Sequence, residues 1–121
     1  MVVLRIVANL AGSDLQAARV FYEELLGLDV VMDHGWIVTL AAGAAAENRP
    51  VQQLSLATEG GGGTDVPRLS IEVDNLDEVY HRAQAAGFEI IYPLTEEPWG
   101  VQRFYVRDPL GYVINILSHQ T

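Results

Sequence analysis

Residues 68–79 read Arg68-Leu69-Ser70-Ile71-Glu72-Val73-Asp74-Asn75-Leu76-Asp77-Glu78-Val79, and a change of periodicity inside this stretch decides the fold. Up to Val73 the apolar Leu69, Ile71 and Val73 alternate with Arg68, Ser70 and Glu72, the pattern of a half-buried strand. At Asn75 the alternation stops. Asn75 can accept from the first N–H groups of a helix, and Glu78 at the third position completes a capping box. Leu76, Val79, Tyr80 and Ala83 then recur at helical spacing, and Gly87 suits the position just past the helix end. Strands are expected at 89–92, 101–107 and 112–117, the last two joined by the turn Asp108-Pro109-Leu110-Gly111.

The same order of elements occurs about 61 residues earlier. Leu4, Ile6, Ala8 and Leu10 alternate with Arg5, Val7 and Asn9, which predicts a strand with the apolar row inside. Ser13 is placed to cap a helix, with Gln16 three residues on, and Leu15, Ala18, Tyr22 and Leu25 form its inner face. Gly27 ends it, and strands follow at 29–32, 36–40 and 52–57, with His34-Gly35 as a turn. Between the halves lies Gly60-Gly61-Gly62-Gly63, expected as a flexible connection because four glycines stabilise neither helix nor strand. The expectation is one α+β domain over 1–121, built from a βαβββ module at 1–59, a glycine-rich linker at 60–64 and a second βαβββ module at 65–121.

The chain has 121 residues, half of them apolar, which suffices for a packed core. With no cysteine, disulfides and thiolate metal sites are excluded. Seven basic against sixteen acidic residues give a formal charge of −9, a field that repels nucleic acid. The apolar N-terminal stretch is short and interrupted by Arg5, so no signal peptide is expected. No run of apolar residues is long enough to span a membrane. A cytoplasmic protein is expected.

Three blocks carry a resemblance to a known group. They are Ser13-Asp14-Leu15 leading to Phe21-Tyr22 and Leu26-Gly27; Ile71-Glu72-Val73-Asp74-Asn75; and Trp99-Gly100, Phe104, Arg107-Asp108-Pro109, Gly111 and Ile114-Asn115-Ile116. Together, in this order, they resemble the vicinal oxygen chelate superfamily, the glyoxalase/bleomycin-resistance/dioxygenase group. The resemblance implies that the modules form an incompletely closed eight-stranded barrel with a central cleft, commonly in a homodimer. It leaves the chemistry open, because the group holds metal-dependent lyases, isomerases and dioxygenases beside metal-free drug binders.

Metal-dependent members place one ligand, usually His or Glu, on the opening and the closing strand of each module. Carried onto this chain, those places fall at Val7, Gln53, Arg68 and Asn115. Val7 has no donor atom, and Arg68 keeps its positive charge. The amides of Gln53 and Asn115 bind transition metals poorly beside that cation. A register error of two residues substitutes Arg5, Asn9, Ser55 or Ser70 and rescues nothing. The metal site is therefore expected to be absent, and no cofactor is expected.

What remains is a set suited to a ligand: the apolar Val7 with the polar Asn9, Gln53, Ser55, Arg68, Ser70, Glu72 and Asn115, and Trp36, Trp99 and Tyr105 as aromatic walls. The structural alternative is a sheet face turned to solvent, with the aromatics packing a rim or a dimer interface. Arg68 and Glu72 read as an opposite-charge pair on one strand face; Arg68 either binds a carboxylate or phosphate, or is closed off as a salt bridge. The reading is a metal-free, homodimeric protein that binds a small molecule, its concrete version the sequestering of an aromatic or cationic antibiotic. The alternative is a metal-dependent glyoxalase-type lyase or isomerase, or an extradiol-type dioxygenase, with atypical ligands. Glu72 and Tyr105 are the candidate acid–base groups if catalysis occurs.

Overall fold

The computed structural model describes residues 2–43 and 52–119. Eight strands and two helical segments follow one another as two βαβββ runs. The first run holds β1 (Val3–Ala11), α1 (Leu15–Arg19) with a π-helical continuation (Val20–Leu25), β2 (Asp29–Asp33), β3 (Ile37–Ala42) and β4 (Gln52–Ala57). The second holds β5 (Leu69–Val73), α2 (Leu76–Ala85), β6 (Ile90–Glu96), β7 (Val101–Arg107) and β8 (Val113–His119). Hydrogen bonding gives the strand order β2-β3-β4-β1-β5-β8-β7-β6, a mixed sheet that is not closed on itself. This is an α+β fold.

Two compact units divide the chain, one of residues 7–66 and one of residues 1–6 with 67–121. β1 therefore serves both: its last residues pair in parallel with β4 from Val7↔Gln53 to Ala11↔Ala57, while its first residues belong to the second unit. In the first unit Val38, Leu40 and Leu56 are buried, and Leu15, Ala18, Tyr22, Leu28 and Leu54 pack on them. In the second, Val73, Leu76 and Phe104 form the buried centre, with Ile71, Val79, Tyr80 and Ala83 around them.

The second helix starts as its sequence predicts. Asn75 Oδ1 accepts from the Glu78 N–H at 3.3 Å, and Asn75 Nδ2 donates to Glu78 Oε2 at 3.1 Å. Gly87 follows at φ 78°. Asn75→Ala removes this cap and is expected to lower stability by about 1 kcal/mol, read as a shifted urea midpoint.

The first helix departs from expectation. Asp14 rather than Ser13 is the cap, accepting from the Ala17 N–H at 3.0 Å; its carboxylate also complements the partial positive charge of the helix start. From Val20 the winding widens, and the Leu26 N–H reaches the Phe21 carbonyl five residues back at 3.3 Å. That changes the angular step per residue, so Leu25, expected on the inner face, is 68 % exposed.

β1 also faces the opposite way from its prediction. Leu4, Ile6 and Leu10 are exposed, whereas Val7 and Asn9 are buried. In the first unit α1 packs on β3 and β4 residues and leaves the β1 row uncovered, so a periodicity that names two faces does not say which one a helix will cover.

The glycine run is not a slack connection. The Gly60 N–H donates to the Thr64 carbonyl at 2.7 Å, and Thr64 Oγ1 donates to the Gly61 carbonyl at 2.8 Å. The Gly63 N–H donates to Glu59 Oε1 at 2.9 Å. Gly61, Gly62 and Gly63 all have positive φ, at 90°, 61° and 79°, a succession that only glycine adopts without strain. The glycines are there for a tight, hydrogen-bonded turn.

Candidate functional site

Residues paired in register share a face of a sheet. In the second unit this puts Ser70, Asn115, Tyr105 and Tyr92 in one row across β5, β8, β7 and β6, and Glu72, Leu117, Arg103 and Thr95 in the next. The opposite face carries Ile71, Ile116, Phe104 and Val106 under α2. One face is thus an apolar helix seat, and the other is polar and aromatic.

The centre of the polar face is Arg103, whose side chain is 3 % exposed. Its Nε and Nη2 both lie 2.6 Å from Glu97 Oε2, itself on a side chain only 7 % exposed. The Tyr92 hydroxyl donates to the same carboxylate at 3.1 Å. Three rings surround the guanidinium: Tyr105 at 4.9 Å, Trp99 at 5.0 Å and Tyr92 at 5.2 Å from Cζ. Each contact lowers the cost of burying the cation, the carboxylate by charge and the rings through their negative faces. Glu97 gets there because the hairpin after β6 folds back: its N–H donates to the Val101 carbonyl at 2.8 Å, and Gly100 turns the chain at φ 87°.

Glu72 sits on the same face with a different cation from the one expected. Its carboxylate meets Arg5 Nε at 3.2 Å and His119 Nδ1 at 2.8 Å, while Arg68 turns its guanidinium onto the Tyr112 ring at 4.4 Å. The Arg68–Glu72 pair is therefore corrected to Arg5–Glu72–His119. Arg68 precedes β5, outside the ladder that would aim it along the polar face. A carboxylate at Nδ1 fixes the orientation of the imidazole.

Asn115 is 7 % exposed. Its Nδ2 donates to Ser70 Oγ at 3.0 Å. Its Oδ1 is buried and accepts no hydrogen bond among the described residues. An acceptor left so carries a desolvation cost that a donor would relieve.

In the first unit Val7 pairs with Gln53, Asn9 with Ser55 and Thr39 with Ser55, so these share a face. Asn9, Thr39 and Ser55 are buried, and Thr39 Oγ1 and Ser55 Oγ hydrogen-bond at 2.8 Å. Trp36 precedes β3, where its carbonyl accepts from the Thr58 N–H at 2.9 Å and its ring stacks on His34 at 6.3 Å.

The resemblance implies metal-ligand places at Val7, Gln53, Arg68 and Asn115, and within each unit the register shows which residue faces which. Val7 faces Gln53, and by the equivalent pairing Asn115 faces Ser70, not Arg68. The four side chains are then an isopropyl, two amides and a hydroxyl, a set that supplies no anionic or imidazole ligand. Among the described residues no cluster of three or more His, Cys, Asp or Glu side chains could hold a metal.

The structure gathers the expected Ser70, Glu72, Tyr105, Trp99 and Asn115 in the second unit together with Arg103, Glu97, Tyr92 and His119, which the sequence reading had not proposed as ligand contacts. Arg103 shares strand parity with Tyr105, which was a usable signal. The approach of Glu97 depends on a hairpin folding back, and no local pattern announces it.

Solved structures of low identity have the same fold. One described as NAD-dependent benzaldehyde dehydrogenase from Legionella pneumophila is 17% identical, with a TM-score of 0.72, over 95% of this chain and 99% of that one. A glyoxalase/bleomycin resistance protein/dioxygenase superfamily member from Vibrio splendidus 12B01 is 17% identical, with a TM-score of 0.63, over 98% and 99%. Methylmalonyl-CoA epimerase from Mycobacterium tuberculosis is 18% identical, with a TM-score of 0.65, over 95% and 87%. No curated protein matches significantly. The sequence profile of one family matches residues 4–116, nearly the whole chain, and the protein accordingly belongs to the Glyoxalase/Bleomycin resistance protein/Dioxygenase superfamily.

Proposed function

We propose that this protein is a metal-free small-molecule-binding member of its superfamily, with Asn115 as an anchor of the ligand. The observation that carries the reading is the buried amide at a metal-ligand place of the fold: Asn115 Oδ1 lacks a hydrogen-bond partner among the described residues. A ligand that brings a donor to that oxygen gains a hydrogen bond at little cost in competing water contacts. Ser70, Glu72, Tyr105 and Trp99 complete the recognition surface in the second module, and Val7, Asn9, Gln53, Ser55 and Trp36 are the corresponding candidates in the first. Arg103 is neutralised by Glu97, which favours an aromatic, neutral or cationic ligand over an anion.

A homodimer accompanies this reading. The exposed row Leu4, Ile6 and Leu10 on β1 is apolar surface that a second copy would cover. No helix among the described residues is long and apolar enough to cross a membrane, in keeping with a cytoplasmic, ligand-sequestering role.

The test pairs metal content with a near-isosteric variant. Protein purified without chelators is expected to carry no stoichiometric Ni, Zn, Mn or Fe. Asn115→Leu is expected to raise stability by about 1 kcal/mol, read as a higher urea midpoint, because it removes an unsatisfied buried polar group. It should also abolish the thermal stabilisation given by compounds that bind the face carrying Asn115. Stoichiometric metal lost on Asn115 substitution would overturn the reading.

A further inference from the structure

A cavity lies on the helix side of the second unit's sheet, between α2 and strands β7 and β8. It measures about 540 Å³ and is lined almost wholly by apolar atoms, a volume within the range of small-molecule sites. Its floor is Val106, Ile114 and Ile116, over the buried Phe104. Its helical wall is low because α2 presents Ala83 and Ala86 there, one turn apart. A leucine at either position would close much of the space.

The ionic groups in this lining have the opposite balance to the chain. The protein carries −9, yet the cavity is lined by Arg82 and Arg107 against a single carboxylate, Asp108. Asp108 Oδ1 already accepts from the Leu110 and Tyr112 N–H groups at 2.9 Å, which holds that carboxylate in its own turn. The two arginines are held more loosely. Arg82 is 69 % exposed and 3.6 Å from Glu78. Arg107 is 41 % exposed, with Nε donating to Glu89 at 3.2 Å and Nη1 to the Gly111 carbonyl at 3.0 Å. Exposed pairs of this kind contribute little, so an incoming carboxylate can replace a glutamate partner at small cost.

We infer that this groove binds an anionic amphiphile from solution, a free medium-chain carboxylate whose apolar body lies on β7 and β8 and whose head group meets Arg82 and Arg107. The site faces the helix side of the sheet, away from the Asn115 face, and does not depend on the function proposed above.

Decanoate is the probe, with decanol as its neutral counterpart, and binding is followed by displacement of the fluorescent sulfonate 8-anilinonaphthalene-1-sulfonate and by calorimetry. Decanoate is expected to bind one per chain. The double variant Arg82→Gln/Arg107→Gln should weaken it at least about tenfold while leaving decanol unchanged, the worth of a charge-assisted hydrogen bond. Ala86→Leu, at the surface end of α2, should remove both ligands without unfolding the protein, and Asn115→Leu should alter neither. Four outcomes would overturn the inference: no binding at millimolar decanoate, equal affinity for decanol, indifference to Ala86→Leu, or a change of oligomeric state in Ala86→Leu that accounts for the loss. Uptake only of anionic vesicles, with no free decanoate bound, would overturn it as well.

Discussion

Replacing Glu97 with leucine is expected to destabilise the protein by about 3–5 kcal/mol, because it strands a buried cation. Arg103 is held among three rings with Glu97 as its carboxylate partner, and both side chains are more than nine-tenths buried. Solvent screening, which makes surface pairs nearly worthless, is largely absent here. The Tyr92 hydroxyl loses its acceptor in the same substitution. Arg103→Leu should cost a similar amount, since it leaves the carboxylate unpaired instead. The double variant Glu97→Leu/Arg103→Leu should recover much of the loss, because two leucines fill the volume with no charge to desolvate. Urea unfolding followed by tryptophan fluorescence reads this directly, as Trp99 lies 5.0 Å from Arg103 Cζ. Single variants within about 1 kcal/mol of the parent would mean that the pair is hydrated in solution and that the polar face is more open than its burial indicates.

Phe104→Ala is expected to cost about 3–5 kcal/mol through a different mechanism, the loss of transfer energy together with the cavity left behind. Phe104 is fully buried in the second unit, between Val73 and Leu76, and its ring meets Tyr80 of α2 edge-on, centroids 4.9 Å apart at 70°. The aromatic pair adds about 0.5–1.5 kcal/mol beyond area alone. Since Phe104 is the residue on which α2 rests, amide exchange along α2 should quicken together with the fall in the unfolding midpoint. Phe104→Leu, which keeps most of the volume, should cost clearly less. If alanine and leucine prove equivalent, α2 is held by its cap and its other contacts, and the assigned core is wrong.

Much of the fold was legible because it rests on local rules. The Asn75 cap, the positive φ at Gly27 and Gly87 and the extents of β4 and β7 follow from residues within a few positions of one another. The misreadings share a cause as well. Leu25 and the Leu4, Ile6 and Leu10 row were placed inside by periodicity, yet each lies outside. Periodicity states that two faces differ; which one is covered depends on where a helix from elsewhere in the chain comes to rest.

The site divides along the same line. Sequence by itself determined the order of elements in two βαβββ runs and the family, because each depends on residue type at a fixed spacing. Only the tertiary structure decided the partners. It moved Glu72 from Arg68 to Arg5 and His119, set Ser70 opposite Asn115, and brought Glu97 onto Arg103. The physical reason is range: a charge or a hydrogen-bond donor selects its partner within about 3–4 Å, and which groups come that close is set by strand register and hairpin geometry, not by neighbours in the chain.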